Sequence, residues 1–179
     1  LHTAYRRQRQ MCIRDSNRLL SNRLQVSANT THIQKRYQDS SLAQYYDGHS
    51  NSQAALVMYQ PKSKILIYSG VDWMQDRLAD QAESSNRQGI RSGFLYFGES
   101  LGISGNIRYS QRNFLADNIW YGIHRKDNEY ELGVAAWRKQ WQWKGFTPKL
   151  NYRYQKIDSN LPLYERNNST FFMTIDKIF

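Results

Sequence analysis

Apolar residues recur at every second position in several short runs of this chain. Only a β-strand with one greasy face and one wet face turns that period into structure. Between residues 146 and 154, Phe146, Pro148, Leu150, Tyr152 and Tyr154 share one face, while Thr147, Lys149, Asn151 and Arg153 share the other. The last run, 171–179, holds Phe171, Met173, Ile175 and Phe179 in phase, interrupted only by Lys177. A ribbon with lipid on one side and a watery lumen on the other reads in this way, and a final aromatic on such a strand points to an outer-membrane β-barrel.

The same alternation continues upstream. Leu24, Val26, Ala28 and Thr30 oppose Arg23, Gln25, Ser27 and Asn29; Leu101, Ile103, Ile107 and Tyr109 oppose Gly102, Ser104, Asn106 and Arg108. Tyr130, Leu132, Val134 and Ala136 oppose Glu129, Glu131 and Gly133. Weaker strands fall near 53–59, 64–73 and 89–97, the last with aromatics on both faces. The expected fold is all-β: an antiparallel meander of about eight strands in a transmembrane β-barrel. Connections alternate between roughly a dozen residues, at 38–50, 75–88, 113–126 and 157–169, and only a few, at 60–63, 98–100 and 139–143. With Phe179 on the periplasmic side, counting back puts every long loop outside the cell. Lys177 then sits near the interface, where a lipid-facing lysine costs about 0–1 kcal/mol instead of the 2–4 kcal/mol of the midplane. Val71, Met74, Leu78 and Ala82 recur at near-helical spacing and leave a short helix within 71–88 as a competing local reading.

Composition supports a barrel over other membrane architectures. The chain has 179 residues, 40% hydrophobic and 14% aromatic. No apolar run approaches the 18 or so residues a membrane helix requires, whereas a barrel strand needs apolar residues only at alternate positions. Thirteen tyrosines and five tryptophans suit aromatic girdles at two interfaces, or alternatively the core of a soluble β-sandwich. A formal charge of +10 invites a nucleic-acid reading. Arg23, Arg108, Lys149 and Arg153 argue against it, because they stand singly on the polar faces of strands.

The stretch RRQRQMCIRDS, 6–16, resembles the conceptual translation of a sequencing-library adapter, so residues 1–16 are set aside and 17–179 are taken as the barrel portion. Four arginines and one aspartate go with it, so the charge falls by three to +7, and Cys12, the only cysteine, goes too. The chain is therefore expected to start inside a longer gene.

Catalytic patterns are absent from the sequence. His2, His32, His49 and His124 lack metal-ligand spacing. Gly102-Ile103-Ser104-Gly105 departs from a hydrolase elbow and lies within a strand, and Asp47-Gly48 is a turn without the other ligands of a calcium loop. No enzyme activity, metal or cofactor is expected.

The segment GFTPKLNYRYQKIDSNLPLYERNNSTFFMTIDKIF, 145–179, resembles the C-terminal barrel of the surface lipoprotein assembly modifier family. HRKDNEYELGVAAWRK, 124–139, and RYQDS from Arg36 resemble it too. The motif residues are Gly145, Phe146 and Pro148 at the entry to the penultimate strand, then Asp158, Ser159, Asn160, Pro162 and Tyr164 in the last loop. The resemblance implies an N-terminal periplasmic domain of helical repeats ahead of a barrel of about fourteen strands, of which this chain supplies the last eight. It implies delivery of lipoproteins, and in some cases secreted proteins, across the outer membrane of a Gram-negative bacterium. The partners would be surface lipoprotein cargo, outer-membrane lipid and the barrel assembly machinery, with no nucleic acid. Phe171, Met173, Ile175 and Phe179 would form the C-terminal signal which that machinery reads. A passive porin and a soluble β-sandwich binding module are the alternative readings. With only part of the barrel present, a curved, open sheet is expected, with unpaired first and last edges.

Overall fold

The computed structural model describes residues 7–177, and side chains from 12 to 176 except 139. Phe179, the closing residue of the expected assembly signal, lies outside the described residues. Nine strands follow one another: β1 (Arg7–Ser21), β2 (Leu24–Tyr37), β3 (Gly48–Lys62), β4 (Ile65–Leu78), β5 (Ser85–Phe97), β6 (Leu101–Asp117), β7 (His124–Arg138), β8 (Phe146–Ser159) and β9 (Arg166–Lys177). They form one antiparallel sheet in sequence order. No ladder joins β1 to β9 among the described residues, so the meander is open, as the sequence leads one to expect. A sandwich would need a second sheet over the apolar face, and every described strand belongs to this single one.

The strand count is nine instead of about eight, and the additional strand runs through the set-aside stretch. β1 pairs with β2 from Arg7↔Tyr37 to Ser21↔Leu24. Its pattern is inverted relative to its neighbours. Arg14 and Arg18 lie opposite Thr30 and Val26 on the apolar face, whereas Ile13 and Leu19 lie opposite Thr31 and Gln25 on the polar one. The sheet's two-faced patterning therefore begins at β2.

The loops are shorter than the sequence spacing suggests. The segments 38–47, 79–84, 118–123 and 160–165 connect strands at one end, and 22–23, 63–64, 98–100 and 139–145 at the other. Alternation in length persists, except that 139–145, expected to be short, matches the longer set. The physical reason is that ladders outrun apolar patterning. Gly48↔Leu78 through Gln53↔Trp73 pair by backbone although most of these side chains are polar. Backbone hydrogen bonding does not depend on side-chain polarity, so alternation marks only the band with an apolar surface and leaves each strand's polar extension unmarked. The near-helical spacing at 71–88 likewise yields to the ladder, since β4 and β5 cover most of it as strand. Among the described residues the α-helix is α1 (Ser40–Tyr46), inside the first long connection. Asp39 caps it by accepting from the Ser41 backbone N–H at 2.9 Å.

Candidate functional site

Burial is inverted relative to a soluble domain. Among the described residues, the buried apolar side chains are Phe114 and Leu161. The buried polar ones include Ser50, Asp72, Asp76, Ser85, Ser110, Asp127 and Thr147. By register these strand residues share one face, because residues directly opposed across an antiparallel ladder point the same way. The face that shields its own side chains is the inside of the curve. On the outside, Val57, Ile67, Trp73, Ile90, Phe94, Ile107, Leu132, Val134, Leu150, Phe171 and Met173 stand exposed. Polar residues begin abruptly beyond them, at Gln75, Gln88 and Gln111. From Leu101 to Tyr109 the apolar stretch of β6 covers eight residue steps, or about 26 Å along the strand at ~3.3 Å per step. Tilting the strand by about 40° brings its height to about 20 Å.

The inner face carries a charged lattice. Arg108 donates from Nε to Asp72 Oδ1 at 3.2 Å and from Nη2 to Asp72 Oδ2 at 2.5 Å. Arg87 Nη2 approaches the same carboxylate at 3.9 Å and Arg87 Nη1 approaches Glu129 at 3.7 Å. Arg112 donates from Nε to Glu129 Oε1 at 2.7 Å and lies 3.6 Å from Asp76. Asp76 also accepts from Lys35 Nζ at 3.0 Å and from the Ser50 hydroxyl. The carboxylates come from β4 and β7 and the arginines from β5 and β6, so four strands are tied side to side. Sequence reading identified Arg108 as a polar-face cation and missed the others. Their signal was available, since Arg87, Gly89 and Arg91 follow the same period of two as the polar faces elsewhere.

The family-motif residues gather at the loop end of β7 and β8. Asn160 acts as a strap: its Oδ1 accepts from the Lys126 N–H at 2.7 Å, its Nδ2 donates to the His124 carbonyl at 2.9 Å, and its own N–H donates to the Lys126 carbonyl at 3.1 Å. Ser159 Oγ accepts from the Leu161 N–H at 3.2 Å, and Pro162 begins the single turn that carries Tyr164. Leu161 is 1% exposed. The Tyr164 hydroxyl accepts from Asn118 at 2.8 Å, which joins this loop to 118–123. Arg125, paired with Asp127 at 2.6 Å, lies over the Tyr164 ring at 3.8 Å and the Phe114 ring at 4.4 Å. Asp158 accepts from Lys156. The motif thus builds a cap over one end of the sheet. Asn160→Ala removes two of the strap's bonds and is expected to lower the opening free energy of 160–165 by about 1 kcal/mol, because the freed backbone groups can reach water. Amide hydrogen exchange at residues 124, 126 and 161 measures it.

At the other end, Gly145 closes the 139–145 connection with φ 83°, preceded by Lys144 at φ 49°, so a left-handed pair makes the turn into β8. Phe146 stands outside beside it, and Pro148 pairs with Ile175 on β9. Phe171, Met173 and Ile175 project from the outer face of β9, 75%, 60% and 61% exposed. His32 and His49, single in the sequence, meet across β2 and β3 with ring centroids 5.8 Å apart, and His124 pairs with Asp117. No cluster of three or more metal-ligating side chains occurs among the described residues.

In the loop 79–84, burial pushes the Glu83 carboxyl above the usual carboxylate range, with Arg125 opposing the shift and Asp80 adding to it. A carboxyl raised in the folded state favours folding while protonated, and that contribution fades as pH rises through the raised value. Stability of this end is therefore expected to fall as pH rises from the ordinary carboxylate range through the raised value. Glu83→Gln is expected to flatten the decline, as read from melting temperatures across that range.

A sequence profile for the surface lipoprotein assembly modifier family matches residues 4–179. The chain is 26% identical to surface lipoprotein assembly modifier 1 of Haemophilus influenzae over 92% of its own length and 34% of that protein's. It is 28% identical to the surface lipoprotein assembly modifier of Pasteurella multocida over 74% of this chain and 28% of the relative. Against surface lipoprotein assembly modifier 2 of Neisseria meningitidis it is 23% identical over 85% and 32%. The chain thus spans about a third of the length of the curated relatives it matches. No solved structure matches it. A profile match over nearly the whole chain, agreeing with a strap and cap built from the motif residues, makes this a member of the surface lipoprotein assembly modifier family.

Proposed function

We propose that this chain is the C-terminal part of an outer-membrane β-barrel that delivers lipoproteins, or related secreted proteins, to the cell surface. The observation that carries the reading is the outward apolar band backed by an inward ion-paired face. Water offers no reason to expose Ile90, Ile107, Phe171 and Met173 together while burying Asp72 and Asp76. A bilayer supplies one, since apolar side chains on the convex face meet acyl chains and polar ones line an aqueous lumen.

In this arrangement Trp73, Tyr109 and Tyr130 sit at one edge of the band, where amphipathic rings favour an interface. The capped end with loops 38–47, 79–84, 118–123 and 160–165 is extracellular and the C-terminus periplasmic. Phe171, Met173 and Ile175 present the apolar strand face that the barrel assembly machinery recognises. The role is transport without bond chemistry, and family membership supports surface lipoproteins as cargo. The deciding experiment is display of a candidate surface lipoprotein on intact cells with and without the full-length gene. Display is expected to require the gene; undiminished display in its absence removes the transport reading.

A further inference from the structure

Among the described residues, Arg91 stands within the inner lattice without a carboxylate to pair with. β5 and β6 place arginine directly opposite arginine twice, at Arg87↔Arg112 and at Arg91↔Arg108. Like charges opposed across a ladder repel, so each pair needs anions beside it. The first pair has Glu129, Asp72 and Asp76. In the second, Arg108 is held by both oxygens of Asp72, and Arg91 makes no ion pair with any described residue. Its other direct neighbour is Gly70, which brings no side chain at all. Nε of Arg91 and Nε of Arg87 are both buried without a hydrogen-bond acceptor among the described residues.

Arg91 is half-buried and borders a recess of about 380 Å³, lined also by Asn29, Thr31, Arg87, Asn106 and Arg108. These side chains offer amide, hydroxyl and guanidinium donors from three strands, β2, β5 and β6. Two carboxylates reach the same recess, Asp72 and Glu131, and each already faces an arginine: Asp72 is bound by Arg108, and Glu131 lies 4.0 Å from Arg153. A planar guanidinium accepts an oxyanion through two parallel N–H bonds, and a half-buried one without an anion is costly. We propose that the recess at Arg91 is an oxyanion site on the inner face, taking a carboxylate or phosphate group from solution or from an acidic polypeptide segment within the lumen. The site stands on side-chain geometry and does not depend on lipoprotein delivery.

The test uses the full-length protein carrying this chain, folded in detergent, with phenylglyoxal labelling of arginines read by peptide mass spectrometry. Inorganic phosphate and a hexaglutamate peptide are the probes. At least one is expected to slow labelling of Arg91 fivefold or more, while Arg166, exposed at the start of β9, labels at an unchanged rate. Protection by phosphate alone identifies a small oxyanion as the ligand, and protection by the peptide, with or without phosphate, admits an acidic segment. Labelling of Arg91 that neither probe changes overturns the proposal. In Arg91→Gln, binding of the effective probe is expected to weaken at least tenfold; Arg91→Lys keeps the charge, loses the fork and should fall between. Protection in the unaltered protein stands whether or not either variant folds. Normal lipoprotein display with no protection would remove this site alone, and protection without display would remove the transport reading alone.

Discussion

Replacing Ile107 by arginine, between the middle and the edge of the apolar band, is expected to cost about 1–3 kcal/mol when the protein is folded into lipid vesicles. Ile107 lies on β6, 58% exposed, between Ser92 of β5 and Leu132 of β7 on the outer face. In water, such an exposed position tolerates a charge within about 0.5 kcal/mol. In hydrocarbon, the guanidinium must snorkel or drag water inward, and the penalty depends on depth. Gln111→Arg provides the contrast, because Gln111 follows Tyr109 on the same face and strand, beyond the apolar band. Its expected cost is about 0–1 kcal/mol. Urea titration of both variants in vesicles measures the difference. Equal, small costs at the two positions would sink the bilayer placement of the convex face.

Asp72→Ala should destabilise the sheet by about 3 kcal/mol, through charge instead of apolar area. The Asp72 side chain is 10% exposed and is gripped by Arg108 at 2.5 Å, with Arg87 at 3.9 Å. Removing it leaves two arginines facing two others, Arg91 and Arg112, across the β5–β6 ladder. The penalty is that of uncompensated charge in a partly desolvated place and exceeds the net worth of the original pair. Asp72→Ala combined with Arg108→Ala should therefore recover part of the loss, a coupling that a double-mutant cycle in urea reports. Additive losses in the double variant would show that the lattice is not a coupled unit.

The alternating segments 24–30, 101–109, 130–136 and 146–154 were legible as strands because each crosses the apolar band, where side-chain period and burial coincide. The polar extensions of β3 and β4 were read as loop, since their ladder is made by backbone groups that leave no trace in side-chain type. Helix α1 carried a signal at Asp39 followed by two serines, a cap that a polar stretch conceals easily. The motif 158–164 could be recognised, but its work could not. Asn160 reaches Lys126 and His124, more than 30 positions away, and Tyr164 reaches Asn118, 46 away.

What the sequence settled by itself is the two-faced character of β2, β6, β7 and β8, because a strand's period of two is a local consequence of backbone geometry. Family membership was legible in the same way, from a contiguous terminal stretch. What only the tertiary structure decided is which charges meet. Asp72 joins Arg108 and Glu129 joins Arg87 through ladder register, and register is set jointly by every neighbouring strand. Arg91 remains without a carboxylate for the same reason: pairing opposite Gly70 and Arg108 is a property of the assembled sheet that no single segment of the chain contains.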